Sequence, residues 1–292
     1  MSTVFERAMM NRPDVFETFH EPRGIPYYYG PPDERGSKRY RDHPVRKTHA
    51  EVTASIAKAK AAAPPGSLVF IKDMAYYLCN NEGVVDPVLL NEVLEAVDVH
   101  TFLIRNPAKQ VSSLHKMSTT QQDTVGWDEF IPAEVGYVEL SLVHDALVKQ
   151  GRRTVTIDAD DVLSAPETTL RLYCSEAGIP FLDHMLTWEA NEDRIVRKFA
   201  EWGGWHDSAI SSTGWERQRT TATVVEMPTE NIAQNPDDRN LSIKVTEKHE
   251  GNEKANIVER TVDETSSLLN ACVMEAMTYY TPFYMRRVGG TE

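Results

Sequence analysis

Cysteine is scarce in this chain. Three residues in 292, Cys79, Cys174 and Cys272, lie far apart and show no metal-ligand spacing. That speaks against a cysteine-based metal site and suits a reducing compartment. No apolar run approaches the ~18 residues of a membrane-spanning helix. The opening MSTVFERAMMNR contains an acid and lacks the apolar core of a secretion signal, so a cytoplasmic location is expected. Positive charge is in the minority: the formal net charge is −13, which opposes broad binding to nucleic acid or anionic membrane. An anionic ligand would need local Arg and Lys working against that field. A G-x-x-x-x-G-K-[ST] loop is absent, which argues against hydrolysis of ATP or GTP. No internal repeat is found.

What is present is the material of an α/β body. Apolar, β-branched runs at Ser67–Ile71, Val99–Ile104 and Thr154–Asp158 read as buried strands. Helices are expected over 3–12, where Val4, Phe5, Ala8 and Met9 form a stripe, and over 48–62, 87–97 and 138–150. Another starts at Ser164-Ala165-Pro166-Glu167 and runs to about Ala177, ahead of Gly178. Strands alternating with helices imply a parallel sheet with right-handed crossovers. Residues 20–47, dense in Pro, Gly, Tyr and charge, read as a long loop with short helical pieces. The expected organisation is an α/β domain over 1–216, a polar insertion or arm over 217–256, and a C-terminal helix over 257–292 packing on the body.

The stretch VHTFLIRNPAKQVSSLHKM, residues 99–117, carries the strongest chemical signal. Its strand ends at Arg105, and Asn106-Pro107 leads into a helix with Ser113. An Arg at the carboxyl end of a strand stands where open α/β sheets bind ligands. With a hydroxyl eight residues on, it can hold a phosphate by charge-assisted hydrogen bonds. A surface Arg capped by a turn is the plainer alternative.

Several short motifs in order resemble the sulfotransferase branch of the P-loop folds. They are Ser2-Thr3-Val4-Phe5-Glu6-Arg7, Phe19-His20-Glu21-Pro22, Phe70-Ile71-Lys72-Asp73, Arg105-Asn106-Pro107 with Ser113, and Ser212-Thr213-Gly214. The resemblance implies a three-layer parallel sheet flanked by helices. It also implies transfer of a sulfuryl group from 3′-phosphoadenosine 5′-phosphosulfate to a small-molecule hydroxyl or amine, without a metal. Arg105 and Ser113 would hold the 3′-phosphate. Ser2 and Thr3 would grip the 5′-phosphosulfate, with Ser212, Thr213 and Gly214 near the nucleotide. The family's preceding strand and basic loop residue have no counterpart before Ser2. Either the natural chain is longer, or the first strand is remodelled here.

Lys72 stands where cytosolic sulfotransferases keep a catalytic Lys, but Met74 replaces the His they carry two positions on. Glu21 is then the first choice of proton acceptor, His20 the second and Asp73 the third. A Glu21 side chain merely paired to Arg23 or Arg7 is the ordinary alternative. Trp202, Trp205, His206 and Trp215 are expected to cluster around Ser211–Gly214, over an adenine or as core. Tyr27, Tyr28 and Tyr29 are candidates for an acceptor pocket. Two other functions stay open: a non-sulfating enzyme of secondary metabolism on the same scaffold, and an inactive nucleotide-binding or interaction protein. An oligomer is compatible with the sequence.

Overall fold

Two pairs of parallel strands organise the first 160 residues. In the computed structural model, β1 (Val15–His20) pairs with β2 (Leu68–Lys72), and β3 (His100–Ile104) pairs with β4 (Thr154–Asp158). Parallel neighbours need crossover connections, and helices supply them. The model describes residues 1–31, 47–80, 82–120, 129–215 and 252–290, with only the backbone for 120 and 252–264. Two units divide the chain: Met1–Glu216 with Leu269–Glu292, and Arg217–Leu268. The expected polar segment at 217–256 lies, as far as residue 251, outside the described residues.

The helices follow from local chemistry. α1 (Ser2–Met10) buries Phe5, Ala8 and Met9, and α2 (Gly24–Tyr29) follows β1. α3 (His49–Ala62) opens on a capping box between Thr48 and Glu51. α4 (Pro87–Ala96) has Asp86 as its cap and Pro87 in its first turn. α5 (Pro107–Thr120) and α6 (Tyr137–Lys149) connect β3 to β4. α7 (Ala159–Ser164) is capped by Asp158, and α8 (Pro166–Ala177) stops at Gly178, whose φ of 69° suits glycine. α9 (Asp193–Phe199) and α10 (Asp207–Ile210) are short. α11 (Asn252–Arg286) is longer than the sequence pattern suggested.

Among the described residues the expected parallel sheet is therefore present as two two-stranded sheets, not one. β1 was missing from the sequence reading for a physical reason. Its buried alternate positions are Thr18 and His20, whereas Phe16 faces outward at 47% exposure. Apolar periodicity cannot reveal a strand whose inward face is polar.

The core has three parts. Leu90, Phe102, Ile104, Leu147, Ala276 and Phe283 gather α4, β3, α6 and the end of α11. Phe5, Ile157, Leu170, Met185, Trp188 and Trp215 gather α1, β4 and α8. Ile25, Tyr28, Tyr29, Tyr76, Tyr77 and Trp202 make an aromatic patch beside the end of β1. Among the described residues no helix is long and apolar enough to cross a membrane.

Candidate active site

The carboxyl ends of β1 and β2 bring four polar residues together. His20 stands opposite Lys72 in the parallel register. The Glu21 N–H donates to the Lys72 carbonyl at 2.7 Å, and Asp73 follows. Glu21 has φ 44°, in the left-handed region, and precedes Pro22. Such backbone at a non-glycine residue is uncommon and concentrates at functional sites. It turns the carboxylate back over β2. There Lys72 Nζ donates to Oε1, and the Tyr77 hydroxyl donates to Oε2 at 3.0 Å.

α1 lies against this group. Thr3 and Glu6 are three residues apart, so they share a helix face. Glu6 Oε2 meets His20 Nδ1 at 2.7 Å, and Thr3 Oγ1 meets His206 Nδ1 at 3.1 Å. The two imidazoles face each other, Nε2 to Nε2, at 3.0 Å. A connected row results: Thr3, His206, His20, Glu6. All four are buried, as are Glu21 and Lys72.

Burial sets the charges here. It lowers His20 to about 4 and His206 to about 3, so both imidazoles are neutral at pH 7. It raises Glu6 to about 8, against the pull of Lys72. Burial would raise Glu21 as well, but the charges of Lys72 and the two imidazoles, with the Lys72 hydrogen bond, hold it at about 2. Asp73 is pushed by burial up to about 8. Its Oδ2 accepts the Arg23 N–H at 3.3 Å, and Oδ1 has no partner.

Arg105 stands at the end of β3. Its N–H donates to the Tyr137 hydroxyl at 3.1 Å, and its half-buried Nε has no hydrogen-bond partner. The charges of Lys72 and Arg105 are both felt at the amino end of α1. Ser2 is half-buried there. Ser113 is exposed on α5 and makes no hydrogen bond to Arg105. A cavity of about 350 Å³ beyond β3 and β4 is lined by Asn106, Asp158, Asp160, Asp161, Tyr280 and Tyr284, among others. Its three carboxylates disfavour an anion.

Other expected groupings resolve differently. Glu21 pairs with neither Arg23 nor Arg7. Arg23 bonds Thr53 at 3.1 Å and Glu92 at 3.3 Å, and Arg7 bonds Glu192 at 2.9 Å. The aromatics near Ser211–Gly214 do not form one cluster. Trp202 packs on Tyr28 and Tyr29, His206 on His20, and Trp215 on Phe5 and Trp188. Short turns between these residues send neighbours in sequence to separate cores. Ser212 Oγ donates to the Ala209 carbonyl at 2.8 Å and accepts from Trp188 Nε1 at 3.1 Å. The Thr213 carbonyl accepts from the Trp188 N–H at 3.1 Å, and Gly214 bridges to Thr187. Tyr28 is fully buried, and its hydroxyl donates to Glu134 at 3.4 Å. It is core rather than pocket wall. The sequence reading gave no role to Glu6, Tyr77 or His206 at this cluster. The one local signal was the spacing of Thr3 and Glu6.

The model of one protein family, the sulfotransferase domain, matches residues 1–227. The chain belongs to that family. Two Arabidopsis thaliana proteins, branched-chain-amino-acid aminotransferase-like proteins 1 and 2, are 35% and 33% identical over 116 residues. That is 40% of this chain, which spans about a fifth (19%) of those relatives' length. A solved sulfotransferase domain from the curacin biosynthetic pathway aligns with 56% of this chain and 54% of its own, at 18% identity and a TM-score of 0.34.

Proposed function

We propose that this sulfotransferase-family chain moves a sulfuryl group from 3′-phosphoadenosine 5′-phosphosulfate to a hydroxyl or amine of a small molecule, on a three-layer P-loop body in the cytoplasm. The observation that carries the reading is the buried Nε of Arg105, at the end of β3, which has no acceptor. The charges of Lys72 and Arg105 are both felt at the amino end of α1, and a helix amino end suits an anion. Arg105 Nε, buried without an acceptor, is a donor that a phosphate oxygen would satisfy.

In this reading Arg105 and Ser113 take the 3′-phosphate, and Ser2 and Thr3 take the phosphosulfate. The acceptor oxygen or nitrogen attacks sulfur in line as the bond from sulfur to the phosphate oxygen breaks. Adenosine 3′,5′-bisphosphate leaves. Lys72 stabilises charge on the transferring group. Glu21, ionised beside it, receives the acceptor's proton, with His20 as the second group able to do so. Glu21 also fixes where the Lys72 ammonium sits.

The test is to incubate the chain with radiolabelled donor and a panel of phenols, alcohols and amines. Label is expected in at least one acceptor. No transfer, together with no calorimetric binding of adenosine 3′,5′-bisphosphate, overturns the reading.

A further inference from the structure

The two imidazole Nε2 atoms, 3.0 Å apart, face each other inside the protein. Two nitrogens at tetrahedral positions on one zinc ion, each at 2.0–2.1 Å, are separated by roughly 3.3–3.4 Å, a few tenths of an ångström more than here. A carboxylate oxygen of Glu21 lies within 4.8 Å of a ring nitrogen of each imidazole. Among the described residues this is the one set of three metal-type donors that converges. We propose that His20 Nε2, His206 Nε2 and a Glu21 carboxylate oxygen form an open three-ligand site for a divalent transition-metal ion such as zinc.

The outer contacts argue for this more strongly than the three donors do. A ligating imidazole nearly always has its other nitrogen held by a carboxylate, carbonyl or hydroxyl, which fixes the ring and its tautomer. Here His20 Nδ1 is held by Glu6 at 2.7 Å and His206 Nδ1 by Thr3 at 3.1 Å. A ligating carboxylate is held in turn, and Glu21 is held by Lys72 and Tyr77. An ionised carboxylate has about four lone-pair sites. Those two bonds therefore leave capacity on each oxygen. Each imidazole thus has its far nitrogen fastened by a separate partner, and each Glu21 oxygen keeps room to accept.

Charge is consistent with the arrangement. Metal binding requires neutral imidazole and ionised carboxylate. Lys72 opposes a cation, whereas Glu21 favours one. Two imidazoles and one carboxylate leave coordination positions open, as in zinc sites that bind a water or substrate and in facial-triad iron(II) sites.

The test uses the tag-free full chain, stripped with chelator and without nucleotide, so it is independent of the sulfuryl-transfer reading. Zinc(II) is titrated by calorimetry and cobalt(II) by visible absorption. One ion per chain is expected. His20→Gln and His206→Gln keep hydrogen-bonding capacity but should abolish the cobalt spectrum, with folding checked by circular dichroism. Glu6→Gln and Thr3→Val should each weaken zinc about 10–100-fold, as loss of an outer partner does. His184→Ala, an exposed histidine outside the three-donor set, should change nothing. No saturable binding by the intact chain overturns the proposal, leaving the imidazoles joined by a plain N–H···N bond. So does binding that survives both histidine substitutions.

Discussion

Lys72 and Glu21 are joined twice, once through the backbone and once through their side chains. The Glu21 N–H donates to the Lys72 carbonyl at 2.7 Å, and the Lys72 ammonium donates back to the Glu21 carboxylate. The pair sits where β1 and β2 end in register, with the Tyr77 hydroxyl on the second carboxylate oxygen. Both side chains are about nine-tenths buried.

Removing one partner should therefore cost more than removing both. Glu21→Ala leaves a buried ammonium without its counter-ion, and a loss of about 3–5 kcal/mol in urea denaturation is expected. The double variant Glu21→Ala, Lys72→Met should recover much of that. Equal losses in the single and double variants would show that the pair is not a buried ionic unit.

Arg105 and Ser113 should differ sharply. Arg105→Ala is expected to weaken calorimetric binding of adenosine 3′,5′-bisphosphate by about 1.5–3 kcal/mol, the loss of a hydrogen bond to a charged group. Ser113, exposed on α5, should cost less than about 1 kcal/mol as Ala. The reverse order would move the phosphate off the end of β3.

Asp73 gives stability a pH slope of known sign. Its folded value is about 8, raised by burial from an ordinary 3.8. Between those values the folded chain holds a proton that the unfolded chain has lost. Its contribution is complete below about 4 and falls as pH rises to about 8. Asp73→Asn should flatten that part of the profile, measured as urea midpoint against pH. An unchanged slope would mean that Asp73 is solvated.

Phe5 ties α1 to the rest of the domain. It is 4% exposed and meets Tyr173 edge-on at 5.1 Å. Phe5→Ala should lower stability by about 3–5 kcal/mol in chemical denaturation. A loss below about 1 kcal/mol would show that α1 is only loosely docked.

The parts of the fold legible in the sequence were those whose burial is apolar. Leu68–Lys72, His100–Ile104 and Thr154–Asp158 announced themselves by β-branched runs, α3 and α4 by helix-like patterning, and α8 by the proline and acid at its start. β1 did not, because its buried residues, Thr18 and His20, are polar. The site was half visible. Strand ends pointed to Lys72 and Arg105, and a short motif pointed to His20 and Glu21. Glu6 resembled an ordinary charge on a helix. Tyr77 resembled one aromatic among several, and His206 lay in a stretch whose turns hide where its neighbours face. Their roles arise from contacts that no local pattern encodes.

One of those contacts has a temporal side. Thr3 and His206 share a hydrogen bond across 203 residues of chain, and Arg7 and Glu192 share one across 185. At a synthesis rate of about 5–20 residues per second, α1 leaves the ribosome roughly 10–40 seconds before His206 exists. Throughout that interval Arg7 lacks its counter-ion and Thr3 its imidazole. An early helix is locked by a later segment, so closure of the polar cluster must wait until residue 206 has been made. A nascent chain arrested before residue 206 would hold β1, β2 and their carboxyl-end residues, yet not the completed site.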